Sequence, residues 1–439
     1  MKQDLSFRIS PRWRQSPQDE ERDLAEISIS VGDRVVTRID DITTGHTRDF
    51  FRASAVSLAL WLADNWWRLR WEPIVDYRSV RAEWRLRHDL TSASGGTLWP
   101  PMMIYGVGDR VVIAPIAMGS KAGDRVDYHP IPVSLVPATA FEDGVDAFFD
   151  AVTTTCARAQ DGASLKLVLA QLQEERQTPD VASWRRLEAR LGYDPDQVPD
   201  ALIEALSRQE ELIGAEGVEE AALGNPGARA PEILEKVLSA SRESSVEIDL
   251  AEALAAAAPV NRADLRRPIW MVAEDAADRL RRAVGWSEGP FSNVALSDIL
   301  KVSWKAIRAA TATARDLPYG ARLRGGGTTE KIALQTQASH DRRFELARVL
   351  GDALWTADSR FGVISRGKTD RQKFQRAFAQ SLLCPFADLS RHVDLSGPSE
   401  EQIAKAARRY LVNRNVVTTL LVNKGHLSRE TLGDVLDAA

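Results

Sequence analysis

The chain has 439 residues, of which 44% are hydrophobic and 27% are charged, and its formal net charge is -5. This length is enough for two or three domains, and this balance is typical of a soluble globular protein rather than of a disordered or fibrous one. The only two cysteines, Cys156 and Cys384, are too few for a disulfide framework, which favours a reducing cytoplasm.

The first thirty residues are rich in charge, so they predict no secretory signal. The most apolar run, residues 53–63, is too short to cross a bilayer. We therefore expect a cytoplasmic protein with no membrane partner. The histidines show no spacing typical of metal ligands, and we expect neither a metal nor another cofactor.

Residues 1–150 are predicted to form an α+β domain. Residues 26–31 alternate apolar and polar side chains, meet Gly32-Asp33 and continue through residues 34–39, which predicts a β-hairpin. The hexamer of residues 31–36 recurs as residues 107–112, which indicates a second hairpin of the same kind. Between them, residues 50–71 are apolar on nearly all sides, which predicts a buried, tryptophan-rich helix against a sheet.

The tryptophans of this region have a second interpretation. Aromatic side chains that alternate with arginines can form a stacking surface for single-stranded nucleic acid. The arginines concerned are Arg68, Arg70, Arg78, Arg81, Arg85 and Arg87. A tryptophan core and a nucleic-acid surface therefore both remain open from the sequence.

Residues 151–260 are acidic and helical by their periodicity. One predicted helix ends at Gly192, residues 223–228 interrupt the pattern, and residues 251–259 form an alanine-rich helix end. The segment has no catalytic triad, no paired carboxylates at a known spacing and no phosphate loop. It is interpreted as a connector or a partner-binding module.

Residues 261–439 are predicted to be mostly helical, with a small sheet. Pro268 is well placed in the first turn of a helix that ends near Gly285. Residues 317–320 and 332–334 are predicted short strands on either side of the Gly325-Gly326-Gly327 loop. No Lys-Ser/Thr pair follows these glycines, which favours a hairpin tip over a phosphate-binding loop.

Two runs in this segment resemble the signatures of the ImmA/IrrE family of metallopeptidase-like proteins, over about residues 265–432. The first run is residues 342–354, which reads RRFELARVLGDAL, and the second is residues 374–385, which reads FQRAFAQSLLCP. In the family, the first run leads into His-Glu-x-x-His on one helix, and the second follows a glutamate that is the third zinc ligand. The resemblance implies a regulatory, stress-response, mobile-element or phage-defence setting in bacteria.

The zinc chemistry of that family requires residues that this chain lacks. Arg348 and Asp352 stand at the two histidine positions, Val349 at the general base and Gln372 at the third ligand. Arginine cannot lose its proton to bind zinc, valine is no base and a neutral amide is a poor ligand. The resemblance therefore implies a pseudoenzyme without catalytic or metal-binding residues, and we expect an ion pair between Arg348 and Asp352.

The end of the chain carries a predicted pair of helices. Residues 398–402 begin a helix with an acidic first turn, and a second helix follows the turn at Val412-Asn413. The pair resembles a helix-turn-helix, which the family has at the matching place. Leu411 stands where a glycine usually permits the tight turn, so the pair is interpreted either as a DNA reader or as a packing element.

Basic side chains in this segment are candidate contacts for nucleic acid or a protein partner, because a basic surface can neutralise phosphates. They are Arg366, Lys368, Arg371, Lys373, Arg376, Arg408, Arg409 and Arg414. The run from 366 to 376 is equally explained as a solvated helix entry or as a face that docks against the acidic middle region.

Three functions follow from the sequence. The first is a non-catalytic ImmA/IrrE-like protein that binds or senses a peptide, a protein or a small ligand. The second is a nucleic-acid-binding protein or a subunit of a nucleic-acid-targeting effector complex. The third is an enzyme with a different, non-zinc chemistry, centred for instance on His340, Asp341 and Asp352.

Overall fold

The computed structural model describes residues 6–13, 23–74, 82–93, 98–116, 125–156, 161–224, 227–260, 267–311, 317–325, 329–336, 338–356 and 358–428. The chain divides into two compact units, residues 1–199 and residues 200–439. Small antiparallel sheets and many helices make the fold α+β, as predicted. The helices of the predicted middle region, residues 151–260, belong to both units. None of the helices in the described residues is long and apolar enough to span a membrane.

The described residues of unit 1 include three small antiparallel sheets. In the first, β2 pairs with β1, β3 and β6; in the second, β8 lies between β7 and β10; in the third, β4 lies between β5 and β9. The strands are β1 (Phe7–Trp13), β2 (Leu24–Val31), β3 (Arg34–Val35), β4 (Ile39–Asp41), β5 (His46–Arg48), β6 (Phe51–Ser54), β7 (Met102–Val107), β8 (Arg110–Pro115), β9 (Val126–Tyr128) and β10 (Ser134–Pro137).

The two predicted hairpins are confirmed. Val31 pairs with Arg34 and Val107 pairs with Arg110, so each repeat of the hexamer closes a two-residue loop. Both loops begin with a glycine at positive φ, which such turns require. The second strand of the first hairpin is shorter than predicted, because the Thr37 hydroxyl accepts the hydrogen bond of the Ile29 amide.

The helices of unit 1 are α1 (Ala55–Asp64), α2 (Trp66–Trp71), α3 (Ala82–His88), α4 (Ala138–Thr155), α5 (Gly162–Gln177) and α6 (Pro179–Leu191). The prediction of one helix over residues 50–71 is wrong at both ends of α1. Residues 51–54 form strand β6, and the Ser54 side chain caps α1. At the other end, the Asn65 amide donates to the carbonyl of Trp61 and separates α1 from α2.

Three tryptophans of α1 and α2, Trp61, Trp66 and Trp67, are buried core residues, and Trp71 is partly buried and packs against the core. Arg68 and Arg70 are also buried, where they pair with Glu72 and Glu142 respectively. The side chains of both arginines are therefore engaged in ion pairs inside unit 1. Arg78 and Arg81 lie outside the described residues, and Arg85 and Arg87 pair with Asp89 and Asp194.

Unit 2 is built around one antiparallel sheet and a helical pair. The strand order is β11-β13-β12-β14, with β11 (Glu247–Asp249), β12 (Gly320–Arg324), β13 (Thr329–Ala333) and β14 (Phe361–Ile364). β12 and β13 begin three residues away from the predicted strand starts. Gly325 follows β12 in the predicted hairpin connection, and Gly326 and Gly327 lie outside the described residues.

The helices of unit 2 are α7 (Asp200–Ile213), α8 (Ala215–Gly224), α9 (Ala230–Glu243), α10 (Ala251–Ala257), α11 (Ile269–Ala283), α12 (Asn293–Leu300), α13 (Trp304–Thr311), α14 (Ser339–Trp355), α15 (Asp370–Leu383), α16 (Phe386–Leu389), α17 (Glu400–Tyr410) and α18 (Arg414–Asn423). Helices α14 and α15 pack on each other, and α11 packs on α15. Their apolar faces form the core, in which Leu346, Leu350, Phe374, Phe378 and Leu382 are buried. These positions carry the helical periodicity seen in the sequence.

The turn between α17 and α18 is made by Leu411 in the left-handed conformation, with φ 54° and ψ 45°. The sequence marked this position as one where a glycine is usual, because a side chain there costs free energy. The guanidinium of the buried Arg343 donates to the Leu411 carbonyl (3.2 Å) and also to Phe291 and Asn293. Contacts outside the two helices therefore hold the turn in place.

Candidate functional site

Three of the four positions aligned with the zinc chemistry meet in unit 2. Arg348 and Asp352 are one turn apart on α14, and Gln372 lies near the start of α15, which packs against α14. Nη2 of Arg348 donates to Oε1 of Gln372 at 2.7 Å and to Oε1 of Gln375 at 3.0 Å. The amide of Gln375 then donates to Oδ1 of Asp352 at 2.6 Å. The aligned positions thus form one hydrogen-bonded cluster.

The predicted ion pair between Arg348 and Asp352 is wrong. The carboxylate of Asp352 instead receives Nε of Arg322 at 2.6 Å and both Nε and Nη2 of Arg371, at 2.6 and 2.9 Å. Arg322 lies on β12 and Arg371 lies in the first turn of α15. Their guanidinium groups bond both oxygens of the Asp352 carboxylate, and Arg348 does not bond it. Arg348 bonds only carbonyl and amide oxygens, the carbonyl being that of Ser365.

Asp352 is completely buried, and its two arginine partners are buried with it. Burial opposes ionisation of the carboxyl, but the positive charges and hydrogen bonds of Arg371 and Arg322 outweigh it and lower the pKa of Asp352. Arg322 also donates to the buried Glu330 at 2.8 Å. Asp352, Arg322, Arg371 and Glu330 therefore form a compensated set of internal charges, which we call the Asp352 network.

Gln372 cannot offer a lone pair to a metal in this arrangement. Its Oε1 accepts from Arg348 and from the Ser365 amide at 3.1 Å. Its Nε2 donates to Glu220 at 2.9 Å and to the Val363 carbonyl at 2.7 Å. Every donor and acceptor of the side chain is used within unit 2.

Val349, the residue at the general-base position, lies away from this cluster in the hydrophobic core. Within the part of the chain that the structure describes, no three His, Cys, Asp or Glu side chains gather in a way that could hold a metal ion. The residues aligned with a zinc centre therefore do not fit a zinc ion: they include a cation, an apolar side chain and an amide that is fully bonded.

The packing around the network admits no larger side chain at two glycines. A Cβ atom on Gly362 would lie 1.9 Å from Oδ2 of Asp352 and 2.6 Å from Nε of Arg322. A Cβ on Gly320 would lie 2.1 Å from a carboxylate oxygen of Glu345. Strands β12 and β14 thus approach α14 closely because they carry glycine at these points.

The network reaches the surface at a cleft of about 600 Å³. Three residues that line the cleft contact the network: Glu216 pairs with Arg371 at 3.3 Å, and the carbonyls of Thr356 and Ser359 accept from Arg322 at 2.9 and 3.5 Å. Acidic side chains of the lining are Glu210, Glu211, Glu216 and Asp358; apolar ones are Leu212, Ile213, Pro259, Val260 and Trp355. Arg360 adds one positive charge.

The predicted basic contacts separate into two groups. Arg371 is buried in the network, Lys373 pairs with Asp370 at 3.7 Å, and Arg376 donates to the carbonyl of Gly367 at 2.8 Å. Exposed members are Arg366, Arg408, Arg409 and Arg414, and Lys368 is half-buried. Arg371 pairs with Glu216 of α8 at 3.3 Å, so at this residue the basic run contacts the acidic middle region, which is one of the interpretations that the sequence left open.

The residues proposed for a non-zinc enzyme are not brought together. His340 and Asp341 are at the start of α14, about 16 Å along the helix from Asp352. Asp341 accepts a hydrogen bond from Asn413, and Asp352 is occupied by its arginines. This trio therefore forms no catalytic cluster.

Sequence reasoning missed Arg322, Gln375 and Glu220, which complete the cluster. One signal was present for Gln375, since it lies one turn after Gln372 on the same helix face. Arg322 offered no clear signal, because it lies beyond the predicted strand of residues 317–320 and close to a second arginine. Glu220 offered no signal, because its contact with Gln372 joins residues 152 positions apart.

Comparison of the chain with family models, with curated proteins and with solved structures found no match.

Proposed function

We propose that unit 2 is a non-catalytic, ImmA/IrrE-like binding or sensing module in which the Asp352 network takes the place of a metal centre. The observation that carries the proposal is the convergence of Arg348, Asp352 and Gln372. These positions were aligned from two separate runs of the sequence, and they meet through hydrogen bonds of 3.0 Å or less. A chance alignment of two amphipathic helices gives no reason for the three to meet.

The chemistry of the cluster favours binding over hydrolysis. A zinc hydrolase needs three ligands with free lone pairs, an open coordination position and a base. The cluster instead holds two arginines on one carboxylate, together with an amide that has no free donor or acceptor. Such a buried network fixes the relative positions of β12, α14 and α15.

The cleft above the network is the proposed ligand site. Its exposed carboxylates, Glu210, Glu211 and Asp358, form no ion pair with a described residue, and apolar side chains line the same cleft. A ligand that complements this lining carries positive charges and apolar groups, as a peptide segment with arginine or lysine next to leucine does. We therefore propose a basic, apolar peptide segment of a protein partner.

The contacts of the lining with Arg322 and Arg371 give the module a way to sense its ligand. A peptide cation that pairs with Glu216 competes with Arg371 for the same carboxylate. Occupation of the cleft then changes the charges that face Asp352. Asp352 lies on α14 and accepts hydrogen bonds from Arg371 of α15. Ligand binding is therefore expected to alter how tightly α14 and α15 are held together.

The proposal is tested by fluorescence anisotropy with the full chain and a labelled peptide of alternating arginine and leucine. We expect saturable binding, and no binding of the matching peptide with glutamate in place of arginine. The double variant Glu210→Gln/Glu211→Gln should weaken the affinity about tenfold, or ~1.4 kcal/mol. Glu400→Gln/Glu401→Gln removes the same charge from exposed positions on α17 and should change nothing. Equal weakening by both pairs would reject the cleft.

Nucleic-acid binding is a second proposal, supported by the exposed arginines of the C-terminal helical pair. Arg414 is the first residue of α18, the position from which the second helix of a helix-turn-helix contacts DNA, and Arg408 and Arg409 end α17. Binding of labelled double-stranded DNA should be salt-dependent and should fall in Arg408→Gln/Arg414→Gln. Absence of any shift at about 50 mM salt rejects this proposal.

A further inference from the structure

Two partly exposed arginines of unit 2, Arg348 on α14 and Arg376 on α15, lie on the same side of the Asp352 network. Arg348 donates to Gln372, and Arg376 is one helical turn beyond Gln372, so it shares that face of α15. Both arginines also donate to the segment after β14, Arg348 to the Ser365 carbonyl and Arg376 to the Gly367 carbonyl. We call these two residues the arginine pair.

Neither member of the arginine pair has a carboxylate partner among the described residues. The acceptors of Arg348 are one carbonyl and two amide oxygens, and the acceptor of Arg376 is one carbonyl. Nearby carboxylates are already bonded: Asp352 by Arg322 and Arg371, Glu345 by Thr336 and Glu220 by Gln372. Two positive charges therefore stand together without a hydrogen-bonded negative charge.

Several nitrogens of the pair are free to bind a ligand. Nη1 of Arg348 and Nε and Nη2 of Arg376 make no hydrogen bond in the described part of the chain, and both side chains are partly exposed. Nε of Arg348 is buried and also unpartnered. Donors of this kind are held in place by the bonds that the same guanidinium groups make on their other side.

The surroundings of the pair also favour an anion. Helix α15, which has 14 residues, begins at Asp370 directly after this segment, and its N-terminal end carries partial positive charge. The exposed Arg366 lies between the two carbonyls that anchor the pair. Burial, followed by the charge of Arg376, lowers the pKa of Arg348 to about 9, and burial lowers the pKa of Arg376 to about 10. Both groups remain charged at neutral pH, and an anion between them relieves their repulsion.

We propose that the arginine pair is a binding site for a phosphate group, either as free phosphate or on a small phosphorylated molecule. A phosphate dianion matches two guanidinium groups in charge and accepts the several N–H bonds that they can donate. A monovalent carboxylate would neutralise only one of the two. This site does not depend on whether unit 2 is related to a metallopeptidase, nor on the proposed peptide cleft, which is lined by other residues.

The site is tested by calorimetric titration of the full chain with inorganic phosphate, at constant ionic strength and with chloride as the reference anion. We expect saturable phosphate binding that chloride does not reproduce. Arg376→Gln should weaken it at least about tenfold, because one of the two cations is lost. Arg282→Gln removes an exposed arginine from the last turn of α11 and should leave the affinity unchanged. Circular dichroism of each variant confirms that the fold is kept.

The source of the phosphate is distinguished by a second titration with adenosine 5′-monophosphate. Tighter binding of the nucleotide than of phosphate assigns the site to phosphorylated small molecules, and equal binding assigns it to phosphate itself. Wild-type protein that shows no saturable binding of either probe overturns the proposal. Equal weakening by Arg376→Gln and Arg282→Gln overturns it as well, since that result means general attraction to positive charge.

Discussion

Asp352 and Arg348, which lie one helical turn apart on α14, differ in whether their charged side chains bond a group of opposite charge. Asp352 is completely buried and holds two buried arginines, so its charge is compensated inside the protein. Arg348 is only partly buried and bonds neutral oxygens, so among the described residues no carboxylate is hydrogen-bonded to it. We expect the first arrangement to contribute to stability, and the second belongs to the proposed phosphate site.

The largest effect that tests this contrast is expected for Asp352→Ala. Removing the carboxylate leaves Arg322 and Arg371 buried without their shared partner, which should cost ~3–5 kcal/mol in the free energy of unfolding. Asp358→Ala, in an exposed position of the cleft, should cost less than ~0.5 kcal/mol. Chemical denaturation measures both. A loss below ~1 kcal/mol for Asp352→Ala would mean that the network is not structural.

A smaller effect is expected for Gly362→Ala, which leaves all charges in place. The added methyl group would overlap the contact between Asp352 and Arg322, and overpacking of this kind costs ~1–3 kcal/mol. Gly397→Ala is the matched control, because no atom lies within 4 Å of its Cβ position. Similar stabilities for the two variants would show that the strands approach α14 less closely than described.

The pH dependence of stability provides a third test. Because the pKa of Asp352 is lowered in the folded protein, its contribution is present above the unfolded value of ~3.9 and is lost as the pH falls through the folded value. Asp352→Asn, which has no proton to gain, should lose less stability than the wild type over that acidic range. Identical slopes of unfolding free energy against pH would contradict the pairing with Arg322 and Arg371.

The smallest change in stability is expected for Arg348→Gln. The guanidinium bonds neutral acceptors and leaves no buried opposite charge behind, so its loss should cost ~0.5–1.5 kcal/mol. Denaturation of Arg348→Gln and Asp352→Ala under the same conditions gives the difference directly. An equal or larger cost for Arg348→Gln would remove the distinction between the two positions.

The sequence predicted the elements that depend on local pattern. The hairpins at Gly32-Asp33 and Gly108-Asp109 follow from turn chemistry, and the helices that became α14, α15 and α17 follow from their apolar periodicity. It also marked Leu411 as an unusual turn residue. Local rules gave one continuous helix for residues 50–71, because the cap of Ser54 and the break at Asn65 depend on single polar contacts.

The partners within the candidate site could not be predicted in the same way. The positions 348, 352 and 372 came from a resemblance, which stays a prediction. Their actual partners were not foreseen, because Arg322 arrives from β12 and Glu220 from α8, and neither is close in sequence. The expected pair of Arg348 with Asp352 left out Arg322 and Arg371, which together donate to both oxygens of the carboxylate.

The measurement that most directly tests the replacement of a metal centre by the Asp352 network is the zinc content of the full chain after purification in the presence of zinc and removal of loosely bound metal. Plasma mass spectrometry should find no retained zinc in the wild type, and no difference between it and Asp352→Asn. Near-stoichiometric zinc in the wild type that is lost in Asp352→Asn would contradict the account, because the carboxylate would then bind a metal ion and not two arginines.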